Sequence, residues 1–268
     1  MRTSPWLRPG AIVAALILLV ALVWAVAPGL FTSFDPIAGS AKEALKPPSA
    51  LHLFGTDATG RDLFSRVVYG ARHSLSAGAA AVAIGFVLGT LLGLIAGARP
   101  GLVDDAIMRL VDVLLAIPGL LLSLSVVILL GFGTTNAAIA VGLTSVATFA
   151  RLARSRVVTV SASDYVEAAY GSGGTFWSVL ARHVLPNSLG PVIALIALQF
   201  GSAILQIATL GFLGYGAPPP TPEWGLLISE GRNYMATGWW LTTLPGIVVA
   251  AVVLSTNRIS NAIREVTR

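Results

Sequence analysis

The chain has 268 residues, 55% of them hydrophobic and only 11% charged, with a mean hydropathy of +0.82. That is more apolar surface than one soluble core of this length can bury, so the chain belongs in a membrane. The formal charge of +5 is scattered, which argues against a nucleic-acid partner. The absence of cysteine excludes disulfides, thiolate metal ligands and thiol nucleophiles, and His52, His73 and His183 are too dispersed to hold a metal.

About 20 apolar residues cross a hydrocarbon core of about 30 Å. Six stretches qualify, running approximately from Gly10 to Leu30, Ala77 to Gly97, Ala106 to Leu130, Asn136 to Leu152, Pro191 to Phe212 and Trp239 to Thr256. They lack the two-residue alternation of a barrel, so the expected class is an all-α integral membrane protein with about six spans. With the N-terminus inside, eleven of the 17 basic residues fall on inner segments, Arg2, Arg8, Arg99, Arg264 and Arg268 among them. This bias orients both termini toward the cytoplasm. Arg2, Arg8, the apolar run and Ala25-Val26-Ala27 imitate a secretory signal, but Pro28 directly after the cut disfavours cleavage and the run is long enough to span, so an uncleaved first helix is expected.

A polar segment of about forty residues follows, with turn signals at Asp35-Pro36, Pro47-Pro48 and Gly55, and faces outside on this topology. In the second span Gly85, Gly89, Gly93 and Gly97 recur every fourth residue, placing four glycines on one face as a helix-packing seam. At the third span Asp105, Arg109 and Asp112 fall at i, i+4 and i+7. They form either a local charge ladder at the inner rim or part of a gate, with Arg109 and Asp112 the pathway candidates. Gln199 and Gln206, seven apart, share a face of the fifth span as a polar seam or a substrate contact. Pro218 to Pro222 forbid a continuous helix before the last span, and Trp224, Tyr234, Trp239 and Trp240 suit a membrane interface, so an outer re-entrant or interfacial cap is expected there.

Between the fourth and fifth spans lies DYVEAAYGSGGTFWSVLARHVLPN, Asp164 to Asn187. Asp164 as cap with Glu167 three residues on starts a short helix, and Gly171, Gly173 and Gly174 break it. A second helical stretch runs to Pro186. Two short helices thus project from the inner face, a shape suited to a cytoplasmic socket. Glu167-Ala168-Ala169, three residues, Gly173, nine residues, then His183-Val184-Leu185-Pro186 resembles the EAA signature of importer-type ABC transporter permeases, with His183 where isoleucine is commonest. The stretches FGTDATGRDLFSRVVYGARHSL, AGARPGLVDDAIMRLVDVLLAIPGLLL and LGFLGYGAPPPTPEWGLLISEGRNYMATGWWLTTLPG are similar to the dipeptide/oligopeptide/nickel subfamily, C-type subunit. Together they cover most of the chain from Phe54 to Gly246.

The resemblance implies a type I importer permease (MetI-like) core over residues 74–262, with the coupling loop near 161–187, preceded at 1–73 by a first helix and an extracytoplasmic segment. It implies that Glu167, Ala168, Ala169, Gly173 and Pro186 dock an ATPase. The implied partners are a homologous second permease subunit, two ATPase subunits carrying ATP and Mg, an extracytoplasmic peptide-binding protein and membrane lipid, in a bacterial inner membrane. The chain itself is expected to bind no cofactor or metal and to catalyse nothing. A phosphate-cradling loop needs Gly before Lys, and Lys42 and Lys46 follow Ala41 and Leu45. An intramembrane enzyme could draw on Ser123, Ser125, Ser145 and Asp112, but no histidine lies inside an expected span. A self-sufficient secondary transporter would leave the polar knob unexplained and would be expected to show internally repeated broken helices, of which the sequence has no convincing sign. Short peptides are the implied cargo, with nickel, glutathione or another small solute as the alternative.

Overall fold

The computed structural model describes residues 9–266. Arg2, Arg8 and Arg268, which enter the orientation argument, lie outside the described residues, as does the Arg264 side chain. Apart from an isolated bridge between Thr56 and Asp62, the regular structure among the described residues is helical. The elements are α1 (Pro9–Val26), α2 (Leu63–Ala98), α3 (Leu102–Ala116), α4 (Gly119–Leu130), α5 (Thr134–Ser161), α6 (Asp164–Gly171), α7 (Phe176–Val179), α8 (Leu185–Phe212), α9 (Trp224–Gly231) and α10 (Trp240–Val266). Among them, five helices are long and apolar enough to cross a membrane, or six if a bent pair counts as one span.

That bent pair corrects the expected third span. Instead of one helix from Ala106 to Leu130, α3 and α4 meet at 97°. Ile117 is extended, with ψ 130°, and Pro118 stands as the N-cap of α4. Proline removes a donor and disfavours helical backbone before it, so the chain turns where hydropathy alone reads continuity.

Helix α2 has 36 residues, about 54 Å at helical rise, and therefore extends well beyond a hydrocarbon core of about 30 Å. It is the central post. Against it α5 runs parallel, and the contact is backbone-close. A Cβ at Gly89 would lie 2.5 Å from the Val146 carbonyl oxygen, one at Gly93 2.6 Å from the Ala153 Cβ, and one at Gly97 2.8 Å from the Val157 Cβ. At Gly85 it would meet Ser145. Such approach is possible only where one helix carries no side chain, and it maximises dispersion contact where lipid supplies no hydrophobic drive.

Helix α8 returns antiparallel to α2, with Ile204 and Phe200 over Gly78, and α10 runs back along α8, placing Thr256 over Gly201. The main core lies between α2, α4, α5 and α8, centred on Val82, Val127, Val141, Phe149, Val192 and Ile207. Helix α1 lies outermost, its Ile12, Val13, Leu16, Leu19 and Leu22 exposed, a surface suited to lipid. Arg258 of α10 sits beside Gly10 of α1, so the two described ends of the chain lie together. The C-terminal end of α2 is on the same side, because α10 runs antiparallel to α8, which is itself antiparallel to α2.

Candidate functional site

Two polar assemblies sit at opposite ends of the bundle. At the end holding the C-termini of α2 and α5, helices α6 and α7 form a small module. Its buried side is Val166, Val179 and Val184, packed on Val157 with Leu94, Ala98 and Val160. Its outer side carries Glu167, Ala168 and Tyr170, all exposed, and Trp177, which is 66% exposed. The turn between the helices needs glycine at one position: Gly173 has φ +87°, where a side chain is strained, although a Cβ there would meet open space. Gly174 folds back, its N–H donating to the Ala169 carbonyl at 3.0 Å.

The cap of α6 is not Asp164. Ser163 occupies that position with extended backbone and no side-chain cap bond, its hydroxyl donating instead to the Val160 carbonyl at 2.5 Å. Asp164 and Glu167 both lie in the first turn, where carboxylates favour the helix N-terminus without closing a capping box. Pro186 does not end a helix either. It lies in the first turn of α8, after a π-helical turn at Leu180–Val184.

The expected ladder on α3 is also replaced. Asp112 accepts from Arg151 of α5, and Asp104 accepts twice from Arg154, at 2.6 and 2.5 Å. Arg109 has no ion pair among the described residues. Asp112, which local spacing assigned to a ladder with Asp105 and Arg109, and Asp104, which it did not, therefore tie α3 to α5 across the bundle. A two-pronged guanidinium–carboxylate pair is the geometry that gives such a tie directionality. Gln199 is half-buried. Gln206 reaches the bend, its Oε1 lying 3.6 Å from a Cβ placed at Gly119 and buried without a hydrogen-bond partner. No bond joins any two of Arg109, Asp112, Gln199 and Gln206.

At the opposite end the segment before α2 folds into a cap whose core is ionic. Asp57 accepts from the Thr59 backbone at 2.8 Å, the Arg61 side chain at 2.6 Å and Arg66 at 2.6 Å, and Arg66 also reaches Glu230 of α9 at 2.9 Å. Burial pushes the Asp57 carboxyl up, but the Arg61 backbone N–H, the two Thr59 donors and the Arg61 charge together hold it below the ordinary carboxylate range. Asp62 caps α2 by accepting from the Ser65 backbone at 2.7 Å and pairs with His52 at 2.8 Å.

The proline-rich stretch ends at Glu223, fully buried, which caps α9 through the N–H groups of Gly225 and Leu226 at 2.9 and 3.0 Å. Burial pushes its carboxyl up against those bonds. Trp224 is not an interfacial residue as expected. It is completely buried, donating Nε1–H to the Val67 carbonyl at 2.9 Å, and Trp240 is likewise buried and donates to the Thr56 carbonyl at 3.3 Å. Only Trp239, 54% exposed, is placed as an interface aromatic would be.

Arg66→Met should therefore destabilise strongly. Removing one partner of a buried pair costs up to about 3–5 kcal/mol, moderated here because Asp57 keeps Arg61 at 2.6 Å. Thermal unfolding of the detergent-purified protein checks this, with Arg66→Lys expected to fall between the parent and Arg66→Met.

No group of three or more His, Cys, Asp or Glu residues able to hold a metal occurs among the described residues. The described residues thus form a helical membrane bundle with an exposed two-helix module at one end and an ion-locked cap at the other. Residues 89–266 match the family model described as the binding-protein-dependent transport system inner membrane component, and the chain belongs to that family, whose members are transport permease subunits rather than enzymes.

The chain is 41% identical over 252 residues to a probable D,D-dipeptide transport system permease protein of Escherichia coli, covering 94% of this chain and 84% of that one. It is 39% identical to a dipeptide transport system permease protein of Haemophilus influenzae, covering 96% and 89%. It is also 39% identical to a glutathione transport system permease protein of Pectobacterium atrosepticum, covering 81% and 72%. Among solved structures, an inward-facing form of the MetNI methionine ABC transporter superposes with a TM-score of 0.57 at 18% identity, over 74% of this chain and 96% of that one. The fold is thus that of ABC importer permeases.

Proposed function

We propose that the chain is the C-type membrane subunit of an ATP-driven importer of short peptides in a bacterial inner membrane, with both ends cytoplasmic. The observation that carries the reading is the similarity to peptide permeases over 94–96% of the chain. Its geometry supports the mechanism. The module at α6 and α7 offers Glu167, Ala168 and Gly173 to an ATPase, with Ala169 partly buried behind them on the module's own cluster, small residues for close approach and a carboxylate for a charge-assisted bond. A second, homologous permease completes the pathway, an external binding protein delivers the cargo, and ATP with Mg is held by the two ATPase partners. ATP binding draws the docked modules together and turns the cavity outward; hydrolysis resets it, and the permease supplies the two-state path that the ATPases bias.

Glutathione, itself a peptide with one unusual linkage, is the second reading, favoured by the Pectobacterium relative. The test is reconstitution of the purified complex with its binding protein, measuring ATPase stimulation by dipeptides, longer peptides, glutathione and Ni²⁺. Stimulation by dipeptides is the expected result. Stimulation by Ni²⁺ alone would overturn the peptide assignment. Labelling of Tyr170 from the cell exterior would overturn the orientation.

A further inference from the structure

The chain enters α8 through a defect in its hydrogen-bond ladder. Over Leu180–Val184 the helix is π-helical, and the Leu185 N–H reaches back to the Leu180 carbonyl. The cause is in the sequence. Pro186 has no N–H for the Arg182 carbonyl four residues back, and its ring crowds that carbonyl, so the turn opens by one residue. Pro191, inside α8, leaves the Asn187 carbonyl without its usual donor as well. Two side chains add bonds at the joint, to the neighbouring carbonyls rather than to the two that the prolines leave without donors. Asn187 Nδ2 donates to the His183 carbonyl at 2.6 Å, and the Ser188 hydroxyl, buried, donates to the Val184 carbonyl at 2.8 Å. Gly190 between the prolines has open space around its Cβ position.

The packing divides at the same place. Val184 belongs to the cluster that holds the inner module, whereas Val192 and Leu195 belong to the main core. The module's cluster and the main core, both seated on α2 and α5, meet along α8 at a stretch with a thinned ladder, the place where a hinge can form.

We propose that residues 185–191 are the hinge on which the inner module turns against the rest of α8, and that Asn187 and Ser188 are positioning residues that set its resting angle through the two carbonyls they hold. The proposal rests on the module being the ATPase-docking element. Side-chain bonds in this role bias one of two settings, since a serine hydroxyl bonded four residues back bends a helix that the bare backbone would leave straighter.

The test uses the assembled complex with its binding protein. In Asn187→Ala/Ser188→Ala the ATPase subunits remain bound, and peptide transported per ATP hydrolysed falls about thirtyfold, the population change that loss of two hydrogen bonds of about 1 kcal/mol each commands. Ser188→Thr, which keeps the hydroxyl, retains the parent ratio. The lack of cysteine allows a direct readout: spin labels at Tyr170→Cys and Ile193→Cys, both exposed positions, report a distance that changes between nucleotide-free and ATP-trapped complexes. An unchanged distance in a complex that still binds its ATPases would overturn the hinge and leave the docking role standing. An unchanged transport ratio in the double variant would overturn the assignment of Asn187 and Ser188. Loss of the ATPases from Glu167 variants alone bears on docking and not on the hinge.

Discussion

Glu167→Lys should abolish uptake while the subunit still inserts, folds and accumulates in the membrane. The side chain is exposed and makes no bond within the chain among the described residues, so reversing its charge costs the fold almost nothing. On the docking reading its partner is a cation on the ATPase, and breaking a buried, hydrogen-bonded charge pair at an interface costs about 2–5 kcal/mol. Each 1.4 kcal/mol is about tenfold in affinity, so the module would be largely unoccupied at cellular concentrations. Gly173→Leu should have a similar effect by a different route. Its φ of +87° costs a side chain about 1–2 kcal/mol, yet the space around the Cβ is open, so the added bulk projects toward the partner rather than into the core. Uptake, membrane abundance and copurified ATPase measured together separate these cases. Uptake at the parent level in both variants would count decisively against the docking role.

The two-helix outline of the module is legible in the sequence because its signals are local, although its cap is Ser163 rather than Asp164 and Pro186 opens α8 rather than ending a helix. A carboxylate, two alanines and glycines at fixed offsets are read from one short segment, and the structure puts Glu167 and Ala168 on its exposed side. The spans were legible because lipid forces apolar continuity over a known length. What hydropathy could not supply was direction. Pro118 ends α3 with a 97° turn, while Pro191 and Pro245 ride inside α8 and α10, and the three prolines look alike in an apolar context. Neighbouring helices decide which kink is opened and which is absorbed.

The charged residues show the same limit. Counting i and i+4 paired Asp105, Arg109 and Asp112 on one helix, but Arg154 lies 50 residues from Asp104, a separation no local rule detects. Trp224 departs from expectation for a related reason. Tryptophans favour membrane interfaces as a population, yet this one follows a buried carboxylate cap and finds its acceptor on α2. The available signal was the acid directly before an apolar helical stretch, a cap that the run of prolines obscured.

Gly93→Leu should strongly destabilise the bundle. A Cβ at that position would lie 2.6 Å from the Ala153 Cβ, 2.8 Å from the Arg154 backbone nitrogen and closer still to the Ala150 carbonyl. Two of these three are main-chain atoms of α5, so no rotamer change relieves the contact and the helices must separate. Overpacking of a formed core costs about 1–3 kcal/mol when side chains can yield, and here the yielding element is a whole helix, so the loss should lie at or above that range. Separation would also pull apart the edge-to-face pair of Phe86 and Phe149, whose centroids are 5.8 Å apart, and the Arg154–Asp104 bonds that hold α3.

Gly246→Ala is the control. It lies inside α10 with nothing within 4 Å of its Cβ position, and alanine is favoured over glycine in a helix by about 0.8–1.0 kcal/mol. Thermal unfolding should therefore shift down sharply for Gly93→Leu and stay level or rise for Gly246→Ala. Equal effects would mean that glycine abundance rather than register matters along α2. The seam also has a functional end. Gly97 meets Val157, and Val157 is the residue on which the inner module packs, so a splayed seam withdraws the floor beneath α6 and α7. Whatever fraction of Gly93→Leu still folds should consequently transport poorly for its abundance, which uptake normalised to membrane-inserted protein will measure.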